Sequence, residues 1–191
     1  MQRRVHYPDD PNASVKNGFD ASQRQSDGRH QYIGDKRRDD LAEGATDDDT
    51  DSHIDTLVRF APNNTLVYVK CDAKEDEHFN ALDAMEKQLQ SFKTQNNTPY
   101  TLIDLPWPKP VFDDDNTRLP ATYANYLIIN NTVLVPTYND DNDALALAQV
   151  QKAYPAHTII GVNCLPIIEQ FGSLHCITMQ LPRGFLAGAA Q

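Results

Sequence analysis

Two stretches of this chain repeat one order of elements, and that repeat limits the possible folds more than any single residue does. In the first, Ile54 to Phe60 and Thr65 to Lys70 are runs rich in β-branched and aromatic residues on either side of Pro62-Asn63-Asn64, the pattern of a hairpin. Glu75 to Phe92 then places Phe79, Leu82, Met85, Leu89 and Phe92 at steps of three and four, which predicts an amphipathic helix with its apolar stripe in the core. Tyr100 to Leu105 closes the unit as a third strand. In the second stretch, Ala124 to Ile129 and Thr132 to Val135 flank Asn130-Asn131, Asn142 to Tyr154 predicts a helix stopped by Pro155, and Thr158 to Val162 is another strand. Asn64-Thr65-Leu66-Val67 corresponds to Asn131-Thr132-Val133-Leu134, and Thr101-Leu102-Ile103-Asp104 to Thr158-Ile159-Ile160-Gly161. The chain therefore reads as α/β of the mixed, α+β kind: two strand-strand-helix-strand repeats, followed by one further strand over Ser173 to Leu181. Between the repeats, the Pro-rich stretch Pro106 to Pro120, with Trp107 and Asp113-Asp114-Asp115, suits a pocket rim or a linker equally.

Residues 1–40 contain no leucine, and Val5, Val15 and Ile33 are their only aliphatic side chains beyond alanine. Such a segment cannot offset its ordering entropy by burial and is expected to be disordered, leaving residues 41–191 as one domain. A formal net charge of −10 argues against a nucleic-acid partner, and no apolar run approaches the roughly 20 residues that a membrane span requires. Acidity also suits a cationic substrate. Cys71, Cys164 and Cys176 show no paired spacing and no signal peptide precedes them, so a reducing, cytoplasmic setting is expected.

The candidate chemistry centres on Cys176. Strand alternation over 173–181 puts it on one face with Leu174, Thr178 and Gln180, and turns His175 away with Ile177, Met179 and Leu181. A cysteine among polar groups is an odd place for an inert thiol, although buried cysteine is commonly just a small hydrophobe. Far upstream, Asp49-Thr50-Asp51-Ser52-His53-Ile54-Asp55 supplies His53 and Asp55, which would point the same way from a strand. A nucleophilic thiol needs a nearby acid or base and a group that holds its electrophile, and these two residues are of the right types. The bland alternatives are a surface histidine after an acidic run and an aspartate capping a strand end. A zinc site from His53, Asp55, His175 and Cys176 is conceivable by ligand type but lacks a close-spaced ligand pair on a turn. A cysteine protease would use the same Cys and His, yet no flanking protease signature is present.

Four motifs carry a resemblance: residues 49–55; Leu-Pro-Ala-Thr-Tyr-Ala-Asn-Tyr at 119–126; Val-Leu-Val-Pro-Thr-Tyr-Asn-Asp at 133–140; and Gly-Ser-Leu-His-Cys-Ile-Thr-Met-Gln at 172–180. In that order they resemble the agmatine deiminase and bacterial-type (Porphyromonas-type) peptidylarginine deiminase group of the pentein superfamily, from about Leu41 onward. One departure is Gln170-Phe171-Gly172-Ser173, where many members carry a run of glycines. The resemblance implies a partial pentein α/β-propeller, since penteins build a ring of five such units around a polar site and only two units and a closing strand are present. Residues 1–48 match none of the family's N-terminal motifs, so a truncated chain with exposed apolar flanks is expected, which a homo-oligomer would cover.

The resemblance also implies hydrolysis of a guanidinium C–N bond with no metal and no cofactor. Cys176 would attack the guanidinium carbon, His53 would protonate the leaving amine and then activate water, and Asp55 would accept the guanidinium N–H groups. The implied substrate is a small cation such as agmatine, giving N-carbamoylputrescine and ammonia. The alternatives are peptidyl arginine as substrate and a catalytically silent remnant.

Overall fold

A computed structural model of the chain describes residues 53–181. The N-terminal segment 1–40, the boundary expected at Leu41 and the acidic run up to Ser52 lie outside the described residues. Both expected repeats are present. In the first, β1 (Val58–Ala61) pairs antiparallel with β2 (Thr65–Lys70), with Ala61 opposite Thr65. The turn between them uses Asn63 and Asn64 at φ 59° and 55°, a left-handed conformation that asparagine tolerates better than other side chains. Helix α1 (Phe79–Ser91) returns the chain to β3 (Thr101–Pro106), which runs parallel to β2 from Thr65 opposite Thr101 to Lys70 opposite Pro106. In the second, after β4 (Val111–Phe112) and β5 (Arg118–Leu119), β6 (Leu127–Ile129) and β7 (Thr132–Thr137) form a hairpin around Asn130 at φ 53°. Helix α2 (Asp143–Ala153) leads to β8 (Thr158–Asn163), parallel to β7 with Thr132 opposite Thr158. The equivalence extends to single hydrogen bonds: Thr101 N donates to Asn64 O at 3.0 Å, and Thr158 N to Asn131 O at 2.9 Å.

One cluster of buried apolar side chains runs through both units. β2 is the middle strand of its sheet and is buried from Thr65 to Val69, with Leu82, Met85 and Leu89 of α1 packed against the core. Helix α2 buries Ala146, Val150 and Ala153 and packs on β8 of its own unit and on β3 of the other, where Gln149 Nε2 donates to Asp104 O at 2.9 Å. Tyr154 joins the units again, its hydroxyl 3.2 Å from Phe60 O and from the Tyr126 hydroxyl. The three sheets are small, and among the described residues none closes on itself. Ile129, Leu145 and Ile160 remain 48%, 50% and 46% exposed.

Where the structure departs from the expected elements, side chains have for the most part captured backbone groups. Ile54 to Thr56 is a turn of 3₁₀-helix rather than the start of a strand, since the Thr56 hydroxyl and amide both donate to His53 O, at 2.7 and 3.1 Å. Helix α1 starts at Phe79 rather than Glu75, because Asp76 accepts from His78 N at 2.9 Å and pairs with Arg118 at 3.0 Å, holding 73–78 in turns. The stretch 106–120 is no free linker: β4 and β5 pair within it, Arg118 ties it to Asp76 and Glu77, and Lys109 N donates to Asp140 at 2.7 Å.

β6 starts three residues later than expected, because 120–126 is buried without regular structure. A buried loop must satisfy its own backbone. Arg59 does so at Ala124 O and Tyr126 O (3.4 and 2.9 Å), the Tyr138 hydroxyl at Thr122 N and O (3.0 and 2.9 Å), and Thr122 Oγ1 at Ala124 N (3.3 Å). The expected strand over Ser173 to Leu181 is replaced by a turn at Leu174–Ile177, with no strand among the described residues there. A strand needs a ladder partner. Here His175 N donates to Asn125 instead, and Thr178 returns its amide and hydroxyl to His175 O at 3.0 and 2.8 Å.

Candidate active site

Two turns and the buried loop bring together residues far apart in sequence. Asp55, in the first turn, is 7% exposed and accepts two hydrogen bonds on Oδ2, from Asn125 Nδ2 at 3.1 Å and from His175 Nδ1 at 2.8 Å. A carboxylate only accepts, so His175 carries its proton on Nδ1. Both bonds that Asp55 accepts from described residues end on the same oxygen, which leaves Oδ1 for another donor. Burial pushes the Asp55 carboxyl up, but the His175 hydrogen bond and the charges of Arg59, His175 and His53 outweigh it and hold the group below the ordinary carboxylate value. Arg59 is itself buried and sits 4.9 Å from the centre of the Tyr126 ring.

Cys176 is exposed, and its Sγ lies 3.5 Å from Asn125 Oδ1. The other two cysteines are buried, and burial pushes their thiols up, that of Cys164 to about 11. Ser173, just before the turn, bonds the buried Tyr138 hydroxyl at 2.8 Å. A side chain at Gly172 would begin 3.3 Å from Cys176 Cβ, so the chain passes close behind the thiol there. His53 is exposed on the entry to the Asp55 turn, close enough to act on that carboxylate by charge.

Among the expected site residues, Asp55 and Cys176 are joined through one intervening amide, and His53 lies two residues from Asp55. The expectation that strand alternation turns His175 away from the site is overturned, because 174–177 is a turn and the His175 ring is buried against Asp55. Among the described residues, no group of three or more His, Cys, Asp and Glu side chains is placed to hold a metal ion. No described helix is long and apolar enough to cross a membrane.

Residues 21–182 match the family model of the Porphyromonas-type peptidyl-arginine deiminases. The chain belongs to this family. A Marinomonas sp. (strain MWYL1) relative, provisionally named an agmatine deiminase, is 30% identical over 158 residues, 74% of this chain and 43% of the relative. A solved protein of Porphyromonas gingivalis, provisionally named an arginine deiminase, is 49% identical with a TM-score of 0.68, over 71% of this chain and 40% of that one. An agmatine deiminase of C. jejuni, solved with substrate bound, is 44% identical with a TM-score of 0.60, over 66% of this chain and 36% of that one. The chain thus spans less than half the length of these Porphyromonas-type deiminases and their agmatine deiminase relatives.

Two members of the cluster, Arg59 and Asn125, stand outside the residues expected from sequence, and His175 figures among them only as a zinc-ligand candidate turned away from Cys176. The Leu-Pro-Ala-Thr-Tyr-Ala-Asn-Tyr motif contained Asn125 but gave no reason to single it out. A fully polar residue amid Tyr123, Ala124 and Tyr126 was the available signal, since a buried amide demands partners.

Proposed function

We propose that this chain carries the catalytic side of a guanidine-group hydrolase that acts on agmatine or a similar small guanidino cation. The reading is supported above all by a buried, ionised Asp55 whose bonds from described residues all fall on one oxygen, tied by a single amide to the exposed thiol of Cys176. Asp55 Oδ1 would accept an N–H of the planar cation, a charge-assisted bond that also turns the guanidinium plane toward Cys176. The Cys176 sulfur would form a bond to the guanidinium carbon and ammonia would leave, taking a proton delivered by His53. The amidino-thioether would then add water, whose proton His53 takes, and collapse to the carbamoyl product with the thiol restored. With agmatine the products are N-carbamoylputrescine and ammonium, a step toward putrescine. The setting is cytoplasmic, as three unpaired thiols suit.

A full pentein ring would set further units against the exposed flanks at Ile129, Leu145 and Ile160 and supply a carboxylate for the far side of the cation. The span of less than half of its relatives supports a second reading, in which this chain by itself is a catalytically silent remnant. Peptidyl arginine is the rival substrate, supported by the family's description. Ammonia release by this chain, alone and preceded by the N-terminal units of an agmatine deiminase relative, assayed with agmatine, free arginine and an arginine-containing peptide, decides among them. Agmatine should be preferred, and a preference for the peptide would contradict that assignment.

A further inference from the structure

Asn125 stands at the centre of the cluster without belonging to the groups expected to meet substrate. Its residue is 0% exposed, and every polar atom of its side chain is used. Nδ2 donates to Asp55 Oδ2 at 3.1 Å, while Oδ1 accepts from His175 N at 2.8 Å, Cys176 N at 3.4 Å and Cys176 Sγ at 3.5 Å. The partners fix which end is which, because a backbone amide only donates and a carboxylate only accepts. Its backbone is equally constrained: Asn125 O accepts from His175 N at 3.2 Å, and Arg59 grips the carbonyls of Ala124 and Tyr126 on either side. One rigid amide plane therefore spans from the Asp55 turn to the Cys176 turn.

We propose that Asn125 is a positioning residue that sets the spacing between the Asp55 carboxylate and the Cys176 thiol, so that a planar cation held at Asp55 presents its central carbon to Sγ. This rests on the guanidinium reading above. Asparagine suits the task as no near neighbour does. Aspartate would set a second negative charge against Asp55, leucine would remove both the donor to Asp55 and the acceptor facing Cys176 Sγ, and glutamine would lengthen the bridge by a methylene. Misplacement by about 1 Å costs a positioned reaction roughly 10²-fold, so the bridge should show in rates.

The test uses two reagents of one shape, 2-chloroacetamidine, a planar cation, and 2-chloroacetamide, its neutral counterpart. Each alkylates a thiol with loss of chloride, so the readout is independent of turnover. Intact mass and peptide mapping give the rate at Cys176 for the 191-residue chain and for its Asp55→Asn, Asn125→Ala and Asn125→Ser variants. The wild-type chain should prefer the amidine, and Asp55→Asn should abolish that preference. Asn125→Ala should cut the preference about tenfold or more while the chloroacetamide rate changes little. Asn125→Ser keeps a hydroxyl acceptor for the His175 amide and carries the test if the alanine variant loses its cooperative urea transition. A preference unchanged in a folded Asn125 variant overturns the proposal. So does an equal fall in both rates, which would mean that Asn125 only shapes the Cys176 turn. No preference in the wild type, or one that survives Asp55→Asn, overturns the guanidinium reading itself and the proposal with it.

Discussion

Asp55 Oδ2 and His175 Nδ1 lie 2.8 Å apart, so the turn that carries Cys176 is hydrogen-bonded to a carboxylate 120 residues upstream. Since the folded-state value of Asp55 is depressed, the unfolded chain binds the proton more readily, and stability rises with pH through that window. The contribution is complete above the unfolded carboxylate value of about 3.9 and is lost as pH falls through the folded one. Asp55→Asn should lower stability at pH 7 by ~1–3 kcal/mol and flatten the dependence on the acid side, below the unfolded carboxylate value of about 3.9. Urea titrations across that range measure it, and parallel curves for wild type and variant would contradict the assignment.

Arg59 holds two carbonyls of the buried loop that carries Asn125. Arg59→Met keeps much of the volume over Tyr126 but leaves those acceptors unpaired. A loss of ~2–4 kcal/mol is expected in urea unfolding at pH 7. A loss below ~0.5 kcal/mol would show that the loop holds without the guanidinium.

The three thiols should separate by reactivity. Cys71 and Cys164 are buried with thiols pushed up, whereas Cys176 is exposed. Iodoacetamide at pH 8 should label Cys176 alone in the folded chain and all three in urea, as read by peptide mass. Equal labelling of Cys164 in the folded chain would contradict the described packing.

Phe171 stands at φ 58°, a left-handed position following the short helix α3 (Leu165–Ile168), and its amide donates to Ile168 O at 2.9 Å. Bulky L-residues are disfavoured there by ~1–2 kcal/mol, which glycine avoids. Phe171→Gly should therefore raise stability by up to ~1 kcal/mol in urea unfolding, after the added entropy of the unfolded chain. A loss instead would show that the half-exposed ring contributes more than the strain costs.

The repeats were legible because their signals are local. The β-branched and aromatic run Thr65–Lys70, the three-and-four spacing of Leu82, Met85 and Leu89, and asparagines at both hairpin turns are set within each element. The family resemblance singles out His53, Asp55 and Cys176 by residue type, but the link from Asp55 through Asn125 and His175 to the Cys176 turn was not legible. Alternation over Ser173–Leu181 presupposes a neighbouring strand, and what captures that backbone is Asn125, some 50 residues earlier. The single hydroxyl of Thr56 likewise folds Ile54–Thr56 into a turn that β-branched composition alone would draw as strand.

The central claim is that Cys176 is the nucleophile of a guanidinium hydrolysis for which this chain supplies one side of the site. Guanidinium chemistry needs the cation held from more than one side, and loss of one buried charge partner typically costs 10²-fold or more in rate. The most direct measurement is ammonia release from agmatine by the 191-residue chain, by the same chain preceded by the N-terminal units of an agmatine deiminase relative, and by the Cys176→Ala variant of each. The extended form should turn over and lose at least ~10³-fold of its rate on Cys176→Ala, with the 191-residue chain near background. Turnover by the extended form that survives Cys176→Ala would contradict the claim.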